Sequence, residues 1–262
     1  MVIERASVTA NELIAEGIFQ MNVSAPKIAG ENPSPGQFIN ISVIDSWFHP
    51  LRRPMSIAGR EGESLKIIYK IFGAGTRLLS EFPVGSFIDL LGPLGNTFEL
   101  TEGATPVLVG GGVGLAPILW FDETLRSNGI DHTTIIGARH SGEHFLEHCP
   151  KEGFILTTDD GTVGIKGTVL PTIESICLEM ENPKLFACGP EPMLKAVKQF
   201  AEKETVLCEL SVESYMGCAT GICQGCAIEH KSSSISEHSY HERFSLVCLD
   251  GPIYNAKDIR FP

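Results

Sequence analysis

The distribution of apolar and polar positions divides the chain into parts of different character. Over residues 1–100, short β-branched stretches that partly alternate, such as 36–44, 64–72 and 86–92, lie between Pro and Gly residues. This pattern is typical of β-strands. One helical pattern, at 75–82, interrupts them. Several strands without helices between them predict an antiparallel barrel or sandwich.

From about residue 101 strands alternate with helices. Residues 106–129 read as an apolar strand, a glycine turn and a helix, and an apolar strand follows at 132–139. The alternation continues in three further segments, at 166–180, 184–189 and 191–203. Such an order predicts an α/β domain with a parallel sheet over residues 101–207.

The remaining residues, 208–262, contain no long periodic segment, and 232–244 is polar and loop-like. A region this short has little core of its own, so another element is expected to stabilise it. We therefore expect a multi-domain chain, with an antiparallel β-barrel, a parallel-sheet α/β domain and a small C-terminal loop domain.

The C-terminal loop concentrates cysteines in the order C-x4-C-x2-C followed by a distant Cys, which is the plant-type [2Fe–2S] spacing. The candidate metal ligands are Cys218, Cys223, Cys226 and Cys248. The glycines beside them permit the close approach of backbone to cluster. A structural zinc site is the alternative, although zinc sites usually carry two C-x2–4-C pairs and Cys248 stands alone. Cys149, Cys177 and Cys208 are isolated and read as small core or surface residues.

Charge excludes several classes of partner. The 262 residues carry 32 Asp and Glu against 20 Lys and Arg, a net charge of −12, with no long basic run. Nucleic acid and anionic membranes are therefore not expected as partners. The sequence shows no segment long enough to span a bilayer and no secretory signal pattern, so we expect a cytoplasmic protein. Thiols there stay reduced unless they bind metal or do redox work, which argues against disulfides.

Two glycine turns are candidate nucleotide sites. The loop at 108–117 follows a strand and opens a helix, a context suited to phosphate. It lacks the third glycine of a dinucleotide fingerprint, and the next strand ends in Arg139 rather than an acidic residue. A merely tight turn is the alternative. A second strand, turn and helix, at 185–197, belongs at the same sheet edge, where paired turns form a ligand crevice.

Three histidines, His140, His144 and His148, are spaced to share one helix face. Ser141-Gly142 interrupts that helix, so solvated or packed histidines are favoured over a metal site. The Asp-Asp-Gly stretch within 157–161 is read as a turn.

Three signatures occur in order along nearly the whole chain: RRPMSIA (52–58), the glycine loop with ACGPEPM (187–193), and the four-cysteine loop. Together they resemble the ferredoxin-reductase superfamily. The order, with the reductase part first and the iron–sulfur loop last, is similar to that of the electron-transfer subunits of class 1B dihydroorotate dehydrogenases. The resemblance implies FAD, NAD and a [2Fe–2S] cluster as cofactors.

By this resemblance the barrel binds FAD. Arg53 would contact the FAD pyrophosphate and Ser56 the isoalloxazine ring near its reactive nitrogen. Met55 stands where many members have an aromatic residue. The implied flavin residues are Arg53, Pro54, Met55, Ser56, Ile68, Tyr69, Lys70, Gly75 and Thr76.

The α/β domain would bind the nicotinamide dinucleotide. Its implied contacts are Gly110, Gly111, Gly112 and Gly114 along the dinucleotide, and Cys188, Gly189 and Pro190 near the nicotinamide. Arg139 is placed to neutralise a 2′-phosphate, but an arginine after a strand is common, and NAD is favoured over NADP.

The resemblance implies a relay of electrons between a partner dehydrogenase and NAD⁺. The partner would be an FMN-containing subunit that oxidises dihydroorotate to orotate in pyrimidine biosynthesis, in a heterotetramer with two copies of each chain. The small reductase subunit of an NADH-dependent ferredoxin:NADP oxidoreductase, or of a sulfide dehydrogenase, is the near alternative. A non-enzymatic nucleotide-binding module with structural zinc is the distant one.

Overall fold

The computed structural model describes residues 1–43, 50–230 and 243–261, so most of the expected loop at 232–244 lies outside the described residues. The strands of its first part are β1 (Val2–Ala15), β2 (Ile18–Ser24), β3 (Phe38–Ser42), β4 (Arg53–Glu61), β5 (Ser64–Lys70) and β6 (Phe87–Leu94). Two short helices accompany them, α1 (Pro26–Gly30) and α2 (Ala74–Ser80).

These strands form a closed antiparallel barrel in the order β1-β2-β5-β4-β3-β6. Alternate residues point inward, as Ile39 and Ile41 do on β3 and Leu65 and Ile67 on β5, and they form one apolar core. Closure leaves no free sheet edge. The barrel therefore offers a rigid base for residues at the ends of β4 and β5.

The second part is a seven-stranded sheet. Its strands are β7 (Thr105–Gly111), β8 (Thr133–Ala138), β9 (Phe154–Thr158), β10 (Ile165–Lys166), β11 (Pro183–Cys188) and β12 (Leu207–Ser211), joined by β15 (Ile253–Asn255) from the C-terminal part. Its helices are α3 (Leu115–Ser127), α4 (Val169–Glu179) and α5 (Glu191–Glu204). No helix within the described residues is long and apolar enough to cross a bilayer.

The strand order of this sheet, β10-β9-β8-β7-β11-β12-β15, places a change of direction between β7 and β11. All pairs are parallel except that of β12 with β15. Helix α3 packs on one face through Ile118 and Phe121, whereas α4 and α5 pack on the other through Ile173 and Val197. Because both faces are covered, the inner strands are apolar throughout, and the crevice between β7 and β11 is the expected ligand position.

The C-terminal part adds a small sheet of three strands, β13 (Ala227–His230), β14 (Phe244–Leu246) and β16 (Ile259–Arg260), in the order β14-β13-β16. Its buried residues Cys226, Val247 and Ile259 belong to the same apolar cluster as the α4 and α5 face. The expected domain boundary between residues 207 and 208 falls inside β12. The division of the chain into domains stays a prediction, and the large sheet extends beyond that boundary.

Asn96, just after the barrel, ties the C-terminal part to it. Its side-chain amide donates to the carbonyls of Asp250 and Ile253, at 3.1 and 2.8 Å. In return its side-chain oxygen accepts the N–H of Ile253 at 2.9 Å, and its own N–H donates to the carbonyl of Gly251 at 2.8 Å. The segment that follows Cys248 is therefore fixed against the barrel.

Candidate functional site

A cavity of about 470 Å³ lies where the barrel meets the carboxyl ends of β7, β11 and β12, a volume within the usual range for cofactor pockets. Twelve of the predicted cofactor-binding residues line it: Pro54, Met55, Ser56, Ile68, Tyr69, Lys70, Thr76, Gly111, Gly114, Cys188, Gly189 and Pro190. The barrel supplies one wall and the two glycine turns supply the other. The fold thus brings the flavin and nicotinamide candidates to one place.

Arg53 and Gly75 lie beside that cavity and against each other. A Cβ on Gly75 would come within 2.4 Å of the Arg53 Nε, so only glycine lets the guanidinium rest on the first turn of α2. Thr76 closes this turn because its hydroxyl accepts the N–H groups of Phe72 and Gly73, at 2.8 and 3.2 Å. A planar guanidinium held beside the pocket wall fits a pyrophosphate, which it can contact with two N–H groups.

Tyr69 lines the cavity by position, but its ring is turned into the barrel core. Its hydroxyl donates to the Asn11 side-chain oxygen at 2.8 Å, and burial raises the pKa of Tyr69. The Asn11 amide in turn donates to the carbonyls of Leu79, Ser80 and Phe82 at the end of α2. Tyr69 and Asn11 therefore hold α2 in position. Sequence reasoning missed Asn11, since nothing in β1 marks one polar residue as an anchor.

The two glycine turns pack directly on each other. A Cβ on Gly114 would lie 2.4 Å from the N of Gly189 and 2.5 Å from the carbonyl of Cys188. Gly110 and Cys188 are register partners on β7 and β11, and the flanking Gly112 has a φ of 56°, which favours glycine. The backbones of both turns therefore face one narrow crevice, as a dinucleotide site requires.

Cys188 is buried at the rear of the cavity. Burial, followed by the charge of Glu213, raises the pKa of its thiol to about 12, although a hydrogen bond with Ser211 opposes the rise. The thiol is therefore neutral at physiological pH. It behaves as a small packed group rather than a thiolate nucleophile.

Several cavity residues were not foreseen, notably Ser211, the last residue of β12, and Glu213 and Met216, which follow it. Glu213 lines the cavity as an exposed residue, and desolvation of its carboxyl by the surrounding protein raises its pKa. The apolar run at 206–212 was the available signal. It follows a helix and forms a strand parallel to β11, so its carboxyl end had to reach the same edge.

The four predicted cluster ligands lie in two pairs. The Cys218 sulfur accepts the N–H groups of Cys223 and Thr220, both at 3.4 Å. Burial acts to raise the pKa of Cys218, but these hydrogen bonds outweigh it and lower the pKa to about 6. Cys226 and Cys248 are buried, and burial together with their mutual hydrogen bond raises the Cys248 pKa to about 12.

This arrangement fits a cluster with two irons, each of which takes two thiolates. Within the described residues, no three His, Cys, Asp or Glu side chains are grouped to hold a metal ion. Gly217 allows the loop to fold tightly, because a Cβ there would lie 3.2 Å from the Cys223 sulfur. The N–H groups aimed at Cys218 supply the sulfur contacts that tune such centres.

The histidine series considered above is packed into the protein. The His148 Nδ1 accepts the Leu156 N–H at 3.0 Å, and the His144 Nε2 lies 3.3 Å from the carbonyl of Thr157. A short 3₁₀ turn over Ser141–Glu143 replaces the helix that would have aligned them. The His144 and His148 rings therefore serve different local contacts.

We expect Arg53→Gln to weaken FAD binding about tenfold, because it removes a charge-assisted contact to the pyrophosphate. Fluorescence titration of the FAD-stripped chain measures this directly. The matched control is Arg60→Gln on the same strand, where the guanidinium donates to the Asn32 side-chain oxygen and the Gly62 carbonyl. Equal FAD affinity in the two variants would contradict the assignment of Arg53.

The chain was compared with known proteins. Residues 213–260 match the model of the iron–sulfur cluster binding domain of dihydroorotate dehydrogenase B. The electron transfer subunit of dihydroorotate dehydrogenase B (NAD(+)) from Caldanaerobacter subterraneus subsp. tengcongensis is 35% identical over 260 residues, covering 98% of both chains. The subunit of the same name from Bacillus velezensis is 37% identical, covering 97% of both.

Among solved structures, an NADH-dependent reduced ferredoxin-NADP oxidoreductase superimposes with a TM-score of 0.84 at 26% identity, covering 98% of this chain and 90% of that one. A ferredoxin NADP⁺ reductase from Neisseria gonorrhoeae shares the fold, with a TM-score of 0.64 at 16% identity, covering 77% of this chain and 91% of that one. The barrel, the parallel sheet and the cysteine loop thus agree with the curated relatives along almost the entire length. The chain belongs to the family of dihydroorotate dehydrogenase B (NAD(+)) electron transfer subunits.

Proposed function

We propose that this chain relays electrons between NAD⁺ and an FMN-containing partner subunit that oxidises dihydroorotate to orotate. The observation that carries the proposal is the single cavity in which the flavin motif of β4 and β5 faces both glycine turns. The cysteine loop begins in the wall of that same cavity. When bound, NAD, FAD and a [2Fe–2S] cluster supply hydride transfer and single-electron transfer, and the protein positions them.

The residues around the cavity divide the work of binding and orientation. Arg53 and the turn before α2 hold the phosphate side of the flavin site, while Ser56 offers a hydroxyl beside the ring. The packed turns at Gly114 and Gly189 leave a narrow crevice that would hold the nicotinamide and exclude water from it. Glu213 keeps a proton more readily than an ordinary carboxyl, because desolvation at the cavity wall raises its pKa.

A short path joins the cavity to the cluster ligands. Met216 lines the cavity and stands two residues before Cys218, and Pro252 lines it and stands four residues after Cys248. The hydrogen bonds of Asn96 fix the second of these segments against the barrel. The cluster site therefore keeps a constant distance from the flavin site, which supports a relay between them.

Exposure points to the side from which the partner is reached. Of the four predicted cluster ligands, Cys223 is the exposed one. The nearby side chains of Ile222 and Tyr215 are 85% and 94% exposed. Exposed apolar side chains beside a redox site favour a protein partner at this position. We propose a cytoplasmic heterotetramer with two copies of each chain.

A second candidate function rests on the TM-score of 0.84 to the NADH-dependent reduced ferredoxin-NADP oxidoreductase. In that case this chain would be the small reductase subunit of such an enzyme, and the redox stations would be the same. Only the partner chain would differ. The identity of the partner therefore decides between the candidates.

The deciding experiment is affinity purification of the tagged chain from its native host, with mass spectrometry of the bound partner and assays for FAD and iron. We expect a dihydroorotate-oxidising flavoprotein together with both cofactors. A large glutamate-synthase-like flavoprotein would support the second candidate. A colourless preparation that contains zinc and no flavin would exclude both.

The midpoint potential of the cluster tests the direction of electron flow. Plant-type clusters lie near roughly −400 mV, which is low for a relay from dihydroorotate to NAD⁺. We therefore expect a less negative midpoint potential for this cluster in an EPR-monitored redox titration of the purified complex. A value equal to that of a plant ferredoxin would count against electron flow toward NAD⁺.

A further inference from the structure

The carboxyl end of β8 carries an arginine that is already bound to a carboxylate. Arg139 donates from Nε to the Glu143 Oε1 at 3.0 Å, and its Nη2 contacts the same oxygen. Its backbone N–H donates to the other oxygen, Oε2, at 3.1 Å. The 3₁₀ turn over Ser141–Glu143 brings the carboxylate back to the end of the strand. The guanidinium is thus exposed to solvent, and its Nε and Nη2 edge is already bound to a carboxylate.

Glu143 is held from the barrel side as well. The Lys70 Nζ lies 2.6 Å from its Oε1, and the Glu143 side chain is only 8% exposed. Hydrogen bonding from Arg139, opposed by burial and aided by Lys70, lowers the Glu143 pKa to about 2. The carboxylate is therefore ionised at every physiological pH, and its position is fixed by two cations from different parts of the fold.

Further negative charge surrounds the arginine. Hydrogen bonding to Glu143, followed by the charges of Glu143, Glu16 and Asp159, raises the Arg139 pKa. Glu16 is anchored beside the turn, because its N–H donates to the Gly142 carbonyl at 2.9 Å. Three carboxylates thus face two cations at this end of β8. A dianionic phosphate brought here would meet net repulsion.

The location matters because of sheet topology. β8 lies next to β7, and Gly111 of the glycine loop pairs with Gly137 two residues before Arg139. In sheets of this kind the dinucleotide extends from the first glycine turn to the end of the next strand. There an acidic residue meets a ribose 2′-hydroxyl, or an arginine meets a 2′-phosphate. In this chain the acidic residue is Glu143, four positions after Arg139, and its carboxylate binds the Arg139 guanidinium.

We propose that Glu143 is a specificity-determining residue that selects NAD over NADP, by occupying Arg139 and keeping the end of β8 negatively charged. The inference rests on the proposed function only in that the cavity binds a nicotinamide dinucleotide. It assigns the discrimination between NAD and NADP to the Glu143 carboxylate. Arg139 would then bind a 2′-phosphate only when Glu143 is replaced.

The test is calorimetric titration of the purified full-length chain with NAD⁺ and NADP⁺, and with 5′-AMP and 2′-AMP as probes of the adenosine end. We expect Glu143→Gln to lower the dissociation constant for NADP⁺ relative to that for NAD⁺ about tenfold, the value of one regained charge-assisted contact. Arg139→Gln added to Glu143→Gln should cancel that gain. The matched control is Glu147→Gln, an exposed carboxylate in the same loop.

Because Glu143→Gln also frees Lys70, FAD content is measured in every variant, and the single variant Arg139→Gln gives an answer that does not depend on replacing Glu143. We expect Arg139→Gln to keep the preference for NAD⁺, because it makes the end of β8 more negative and the guanidinium that it removes is already bound to Glu143. A preference for NADP⁺ in Arg139→Gln, or equal NAD⁺ and NADP⁺ affinity in the unaltered chain, would overturn the inference alone. Failure of the unaltered chain to bind either dinucleotide would overturn the proposed function with it.

Discussion

Replacing Cys226 with serine is expected to remove most of the iron from the purified chain while FAD remains bound. Cys226 is buried, shares a hydrogen bond with Cys248 and belongs to the apolar cluster beneath α4 and α5. A serine hydroxyl is a poor substitute for a thiolate on iron. Iron analysis, visible absorbance and EPR of the dithionite-reduced protein measure the loss.

Two readouts separate the loss of the cluster from general damage. NADH oxidation by an artificial acceptor that takes electrons from the flavin should persist in Cys226→Ser, whereas transfer to the partner should be lost. Cys149→Ser is the matched control. Cys149 lies in the α/β domain, distant in sequence from the four predicted cluster ligands, and belongs to neither cysteine pair. If Cys226→Ser retained iron and the EPR signal while Cys149→Ser lost them, the ligand assignment would be wrong.

The cysteine spacing was sufficient to predict an iron–sulfur loop because chemistry fixes such spacing independently of the fold. The glycine turns were predictable for a related reason, since a close approach between backbones leaves glycine as the residue that fits, as at Gly114. The alternation of strands and helices in the second part likewise predicted a parallel sheet, which the structure confirms.

The features that could not be predicted from the sequence depend on contacts between distant segments. β15 is three residues long, and only its pairing with β12 through Leu210 and Tyr254 makes it a strand of the large sheet. Local propensity carries no information about such a partner. Glu213 was overlooked for the same reason, because its place in the cavity follows from β12 lying beside β11.

Arg139 shows the same limit at the level of one side chain. Its position after a strand was visible in the sequence and allowed a role in binding a 2′-phosphate. The structure adds that Glu143 turns back to bind it and that Lys70, at the end of β5, holds Glu143 in place. A residue type at a motif position therefore does not define its chemistry until its partners are known.

Gly114→Ala is expected to reduce the rate at which NADH reduces the bound flavin by about a hundredfold or more. Gly114 has a φ of −62°, which any residue adopts, so the alanine imposes no backbone strain. Its Cβ would, however, lie 2.4 Å from the N of Gly189 and 2.5 Å from the carbonyl of Cys188. Both are backbone atoms, which cannot turn away. The start of α3 must then move off the Cys188 turn, and a displacement of about 1 Å at a hydride-transfer site costs about 10²-fold in rate.

Stopped-flow absorbance at the flavin band, with NADH in excess, measures this rate. FAD content and the cluster spectrum should be unchanged, because Arg53 and the four cysteines lie on other segments. Gly30→Ala is the matched control: Gly30 ends α1, and a Cβ there would meet nothing within 4 Å. A Gly114→Ala protein that reduces its flavin as fast as Gly30→Ala would mean that the packing of the two turns is not what shapes the nicotinamide crevice.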